Sequence, residues 1–168
     1  KGGILQGEAL QLLDQAIERL RMNAIVDGIL LLEGREIKGK ALLYDERIRG
    51  IVGPGDIPEN YGIIGAQGLY VSPGLIDIHV HGYLGEDASD GSANGLQIMA
   101  EALLKNGVTA FLPTTMTVKW DDILLSLTAI RSVKRLSTQR DFKGSEILGV
   151  HMEGPFISPI RKGAQAED

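Results

Sequence analysis

The sequence predicts an α/β protein in two parts: a small β module, then a parallel β-α-β-α-β run. Three observations carry this. Short apolar or alternating runs separated by glycine fill residues 23–72. Longer apolar runs at Leu75–Val80, 108–112 and 147–152 recur about every 35 residues, the size of a βαβ unit. Between them lie two stretches with apolar residues at helical spacing.

Residues 1–22 read as an amphipathic leader helix, with Ala9, Leu13, Ala16, Ile17 and Leu20 on one face. Residues 24–26, 29–33, 40–44, 47–52 and 63–64 read as short strands. Gly28, Gly34, Gly39, Gly53-Pro54-Gly55 and Gly62 punctuate them, so residues 23–72 are expected to form a small antiparallel module. Asp45-Glu46 is its expected hairpin turn.

From Pro73 the pattern changes. Leu75–Val80 is apolar apart from Asp77 and His79. A polar, glycine-bearing loop follows over 82–91. It carries Glu86, Asp87 and Asp90 without the spacing of a calcium-binding EF-hand loop. Asp90 or Ser92 is expected to cap the next helix. Leu96, Met99, Ala100 and Leu103 give that helix its apolar face, and Asn106-Gly107 its stop. The second strand, 108–112, is closed by Pro113-Thr114-Thr115. Asp121 is the expected cap of a second helix with Ile123, Leu127, Ile130 and Val133 on one face. The third strand, 147–152, ends before Gly154-Pro155. Continuous apolar strands covered by helices imply a parallel sheet buried on both faces. A doubly wound sheet and a (β/α)8 barrel both fit. A full barrel takes ~250 residues, so residues 73–168 would supply about its first three strands.

Composition excludes several functions. With 17 Lys+Arg against 22 Asp+Glu the net charge is −5, and the basic residues are scattered, which argues against a nucleic-acid partner. Cysteine is absent, which removes disulfides, thiolate nucleophiles and cysteine-ligated zinc. No apolar run approaches the ~20 residues that span a bilayer. Residues 1–21 carry no continuous apolar signal core, so the expectation is a cytoplasmic protein with no membrane partner. There is no G-x-G-x-x-G after a strand, no Walker A loop and no G-x-S-x-G, which leaves nucleotide binding and serine hydrolysis unsupported.

The three histidines, His79, His81 and His151, all fall at the C-terminal ends of expected parallel strands. That is the end where α/β folds place their sites. His79 and His81 are two apart, so on a strand both side chains point the same way and can chelate one divalent ion. Alone, such a pair is open between metal ligands and polar groups at a strand end. Asp77 continues the same face, as a partner for a ligand imidazole or as a polar interior residue. His151 and Glu153 repeat the spacing on the third strand. Glu153 is an exposed strand-end carboxylate or, with His79 and His81 on the same rim, a metal ligand.

Pro73-Gly74-Leu75-Ile76-Asp77-Ile78-His79-Val80-His81-Gly82 resembles the first-strand signature of the amidohydrolase superfamily. Gly107-Val108-Thr109-Ala110-Phe111-Leu112-Pro113-Thr114-Thr115 and Gly149-Val150-His151-Met152-Glu153-Gly154-Pro155-Phe156, with Lys162-Gly163-Ala164-Gln165 after them, narrow the likeness to the N-acetylglucosamine-6-phosphate deacetylase family. It runs from about Met22 to the end of the chain.

The resemblance implies the first three βα units of a metal-dependent, here incomplete, (β/α)8 barrel over 73–168. Residues 23–72 would then be the N-terminal share of a small β-sandwich. It implies hydrolysis of the N-acetyl group of N-acetylglucosamine-6-phosphate to glucosamine-6-phosphate and acetate. Glu153 matches the family's metal-binding glutamate, and His79 and His81 match the pair found in members that hold two metals. Ala164 and Gln165 match a substrate-contacting pair, with Gln165 replaced by His in some relatives. The family's general acid is an aspartate on a late strand, and its further metal histidines come from middle strands. No histidine follows His151, and the only aspartate after Glu153 is Asp168, so no catalytic acid is expected within this chain and residues 1–168 are not expected to deacetylate alone. One or two divalent ions are implied, with Zn²⁺ first and Fe²⁺, Mn²⁺ or Co²⁺ equally compatible with imidazole and carboxylate. An amino-sugar phosphate is the implied small-molecule partner, and a homodimer the implied assembly. The rival readings are a dihydroorotase-like or adenine-deaminase-like amidohydrolase and a non-catalytic metal-binding scaffold.

Overall fold

The computed structural model describes residues 22–166. The expected leader helix lies outside the described residues. The chain divides between Pro73 and Gly74 into two compact units.

The described residues of the first unit form seven short strands: β1 (Asn23–Val26), β2 (Ile29–Leu32), β3 (Arg35–Ile37), β4 (Ala41–Tyr44), β5 (Ile48–Val52), β6 (Gly62–Gly65) and β7 (Tyr70–Val71). They form one sheet of order β5-β4-β1-β6 and another of order β3-β2-β7. Among its described residues, Ala24, Leu30, Ala41, Leu43 and Ala66 are the buried apolar ones. The module is mixed, which corrects the antiparallel expectation. The pairs β1–β4, β4–β5 and β2–β3 are antiparallel, but β6 lies parallel to β1 and β7 parallel to β2. Sequence runs mark strands but not the partner to which a strand returns after four others intervene. The strands β3 and β7 were not anticipated, because Arg35–Ile37 and Tyr70–Val71 are too short to show a period.

Asp45-Glu46 does turn the β4–β5 hairpin. The Asp45 Oδ1 accepts from the Arg47 backbone N–H at 2.8 Å, and its Oδ2 accepts from Arg49 Nε at 2.7 Å. The Arg47 amide first, and the Arg49 guanidinium second, hold the Asp45 carboxyl below the usual carboxylate range.

The second unit carries the longer elements: β8 (Leu75–Val80), β9 (Gly82–Tyr83), β10 (Glu86–Asp87), α1 (Ala93–Lys105), β11 (Val108–Pro113), α2 (Trp120–Ser137) and β12 (Glu146–Ile147). The strands β8, β11 and β12 form a parallel sheet in the order β12-β11-β8, and β9 pairs with β10 as a small hairpin inside the expected loop. Ser92 caps α1, its Oγ accepting from the Gly95 N–H at 3.0 Å, and Asn106 ends it. Asp121 does not cap α2. The cap position is Lys119, whose carbonyl accepts from Asp122 and Ile123. Asp121 and Asp122 sit inside the first turn, where their charge still favours the positive helix end.

The core lies between the two helices and the sheet. Leu96, Met99, Ala100 and Leu103 of α1 and Ala129, Ile130 and Val133 of α2 pack on Phe111 and Ile147. Two expectations change here. The third strand is regular only over Glu146–Ile147. The Lys134 ammonium donates to the Ile147 and Leu148 carbonyls, which satisfies those oxygens off the ladder. The run recovers at His151, which bridges to Thr114. Burial on both faces also fails for β8: Leu75, Ile76 and Ile78 are each more than 60% exposed, because the described strands pair with only one of its edges and the helices cover one face. Among the described residues no helix is long and apolar enough to cross a membrane.

Two outcomes follow. Phe111 is fully buried in the middle strand, so Phe111→Ala is expected to cost about 3–5 kcal/mol in a urea titration of the second unit. The Asp45 carboxylate contributes stability that is complete above its unfolded pKa and is lost as pH falls through its lower folded value. A carboxyl NMR titration is expected to show the Asp45 midpoint below those of exposed aspartates, and Arg49→Ala to move it upward.

Candidate metal centre

The site forms at the C-terminal rim of the parallel sheet. His79 lies in β8 and His81 directly after it, and Glu153 follows the short return of the third strand at His151. The His79 and His81 Nε2 atoms are 3.2 Å apart. Glu153 Oε2 is 3.0 Å from His79 Nε2 and 3.4 Å from His81 Nε2. Each of the three residues offers one ligand atom, and all three atoms lie within 4.8 Å of one another. His79, His81 and Glu153 therefore converge as expected from their spacing.

Two adjacent threonines align this rim. Thr114 is fully buried. Its backbone N–H donates to the Val80 carbonyl at 2.9 Å, and its Oγ1 accepts from the Val80 N–H at 3.0 Å. Thr115 ties the other side. Its N–H donates to the His151 carbonyl at 3.0 Å, and its Oγ1 lies 3.2 Å from both the Glu153 carbonyl and the Glu153 N–H. Sequence reasoning treated Pro113-Thr114-Thr115 as the end of a strand. The signal was a hydroxyl pair at a strand end, but only the structure shows that it faces two neighbours.

The same contacts orient the imidazoles. His81 Nδ1 is 3.2 Å from the Thr114 carbonyl, which assigns the proton to Nδ1 and leaves the Nε2 lone pair facing the cluster. His151 Nδ1 is 3.0 Å from the Ile78 carbonyl, and its ring stands edge-on to His79 with centroids 4.7 Å apart. His151 therefore buttresses His79. Asp77 does not reach an imidazole; its Oδ1 accepts from the His79 backbone N–H at 3.0 Å, so it fixes the main chain instead.

Glu153 Oε2 is buried, and its nearest polar neighbours are the Nε2 atoms of His79 and His81. It faces the lone pair of His81, so two acceptors meet here beside His79 Nε2. Two imidazoles and a carboxylate in that arrangement suit a cation, and they match the donor types of a divalent metal. The other carboxylate oxygen, Oε1, accepts from Gln165 Nε2 at 2.7 Å, and Gln165 Oε1 accepts from the Thr117 N–H at 3.1 Å. Ala164 is exposed beside it.

A family model described as the amidohydrolase family matches residues 70–168. The chain belongs to the amidohydrolase family. Its curated relatives include the N-acetylglucosamine-6-phosphate deacetylase of Bacillus subtilis, 44% identical over 96 residues, which are 57% of this chain and 24% of that protein. Another is the N-acetylgalactosamine-6-phosphate deacetylase of Escherichia coli O157:H7, 37% identical over 92 residues, 55% of this chain and 23% of that one. Among solved structures, the N-acetylglucosamine-6-phosphate deacetylase of Pasteurella multocida superimposes with a TM-score of 0.74 at 32% identity, over 87% of this chain and 38% of that chain. The chain spans about a quarter of the length of the curated relatives it matches.

Gly154 takes φ of +101°, and a side chain there would strike the Thr117 backbone and Oγ1. Gly154→Ala is expected to displace Glu153 and to lower the thermal midpoint, and to reduce any divalent metal kept after loading and dialysis.

Proposed function

We propose that this chain is the N-terminal part of a metal-dependent deacetylase of amino-sugar phosphates, with N-acetylglucosamine-6-phosphate as substrate and acetate and glucosamine-6-phosphate as products. The observation that carries the reading is the convergence of His79, His81 and the buried Glu153 Oε2 at one strand rim. The similarity to deacetylases of two 6-phosphorylated N-acetylamino sugars supports the substrate class. The parallel sheet has sequential strand order, and both crossover helices share one core. That order fits the start of a (β/α)8 barrel and equally one half of a doubly wound sheet, which reverses only at its switch point; the amidohydrolase likeness favours the barrel. In such a barrel the exposed Leu75, Ile76 and Ile78 gain partners from further strands.

His79, His81 and Glu153 would hold the ion, with Zn²⁺ first and Fe²⁺, Mn²⁺ or Co²⁺ compatible with the same donors. A bound divalent ion supplies polarisation of the amide carbonyl and a lowered pKa for water at the site. The chain's own residues prepare for it. His81 keeps its Nε2 lone pair available because Thr114 holds its Nδ1 proton. Glu153 brings the negative charge that offsets the cation. His151 and Asp77 hold His79 from the ring side and the main-chain side. Ala164 and Gln165 adjoin Glu153 and are the proposed substrate-side residues. The departing amine requires a proton donor, which we assign to a part of the protein beyond this chain.

The test uses the whole protein with N-acetylglucosamine-6-phosphate and the galactosamine isomer, reading acetate release and metal content together. Glu153→Gln keeps an oxygen but loses the charge. Zinc affinity is expected to fall by more than the ~10–100-fold typical of an outer partner, and acetate release to fall with it. Full activity with full metal content in that variant removes Glu153 from the ligand set.

A further inference from the structure

We propose that Gln165 is a positioning residue that aims the Glu153 carboxylate at the metal, a role that rests on the metal reading above. A carboxylate beside two imidazoles can rotate, and either oxygen can then face them. Here Gln165 removes that freedom. Its Nε2 donates to Glu153 Oε1 at 2.7 Å, which leaves Oε2 toward His79 and His81.

The clamp is directional. Gln165 Oε1 accepts from the Thr117 backbone N–H at 3.1 Å, so the amide oxygen is fixed on the Thr117 side. Flipping the amide would set its NH2 against that N–H and its oxygen against the carboxylate, losing both bonds. The backbone at Gln165 is held as well. Its N–H donates to the Lys162 carbonyl at 3.1 Å, and the Lys162 ammonium donates back to the Gln165 carbonyl at 3.1 Å. A line of bonds thus runs from the segment after β11, through Thr117 and Gln165, to the outer oxygen of the ligand carboxylate, Oε1.

The chemistry of the clamp matters. A lysine or arginine at this place would also bond Oε1, but it would neutralise the charge that a cation needs. A neutral amide holds one oxygen and leaves the anionic character of the other intact. The same amide keeps a second N–H, so positioning is compatible with a substrate contact.

The experiment titrates the metal-free whole protein with Zn²⁺ against a chromophoric chelator and records the visible bands of its Co²⁺ form. Gln165→Met keeps length and volume but donates nothing. It is expected to lower zinc affinity about 10–100-fold and to shift the Co²⁺ bands, while Gln165→His, whose ring N–H can donate, stays within about threefold of the parent. Packing alone would leave the Met variant near the parent. If the Met variant does not fold, Gln165→Ala is read instead, with the same expectation. Parent-like affinity and spectrum in the Met or Ala variant overturn the positioning role and leave the metal centre standing. An equal loss in the His variant also overturns the donor role. A parent protein that binds neither Zn²⁺ nor Co²⁺ overturns the metal reading, and the positioning role falls with it.

Discussion

The site depends on the end of one strand. Thr114 and Thr115 are neighbours in sequence at the end of β11, yet they bond opposite sides. Thr114 holds Val80 and the His81 imidazole, and Thr115 holds His151 and Glu153. Middle strands can do this because their two edges face different partners. Without those bonds, residues separated by more than seventy positions would share a rim only loosely. With them, three ligand atoms fall within 4.8 Å.

The threonines set the position of the rim, and electrostatics then sets its use. Hydrogen bonding consumes the Nδ1 of His81 and one oxygen of Glu153, both from outside the cluster. What remains inside is the Glu153 Oε2 and the His81 lone pair, with His79 Nε2 between them. Two acceptors held face to face are relieved by a proton or a cation between them, because buried polar groups cost free energy when left unpaired. The helix-covered core sits on the other side of β11, where Phe111 packs among aliphatic side chains. Stability and chemistry are thus drawn from different parts of one strand: the apolar body of β11 and its hydroxyl-bearing end.

Much of this was legible beforehand for a physical reason. Periods of two and of 3.6 are local properties, so the helices, β8 and β11, and the shared direction of His79 and His81 follow from spacing alone. The cap at Ser92 and the stop at Asn106 are local as well. Apart from the cap of α2, which falls at Lys119 and not Asp121, the misreadings involve partners that local pattern does not specify. The parallel return of β6 to β1, the early end of β12 beside Lys134, and the exposure of Leu75, Ile76 and Ile78 are each decided by a neighbour distant in sequence. Spacing leaves Asp77 open between an imidazole partner and a polar interior residue; the structure gives its carboxylate to the His79 main-chain N–H.

The sequence by itself determined which side chains could be ligands and on which strand ends they lie, because residue type and strand period are written in the chain. Only the tertiary structure decided that Glu153 reaches the His79–His81 pair and which oxygen it presents. It also decided that Gln165 turns toward that carboxylate and not only outward. These are relations between segments joined by β11 and by the turn at 162–165, and their geometry comes from sheet order and hydrogen bonds that no single segment contains.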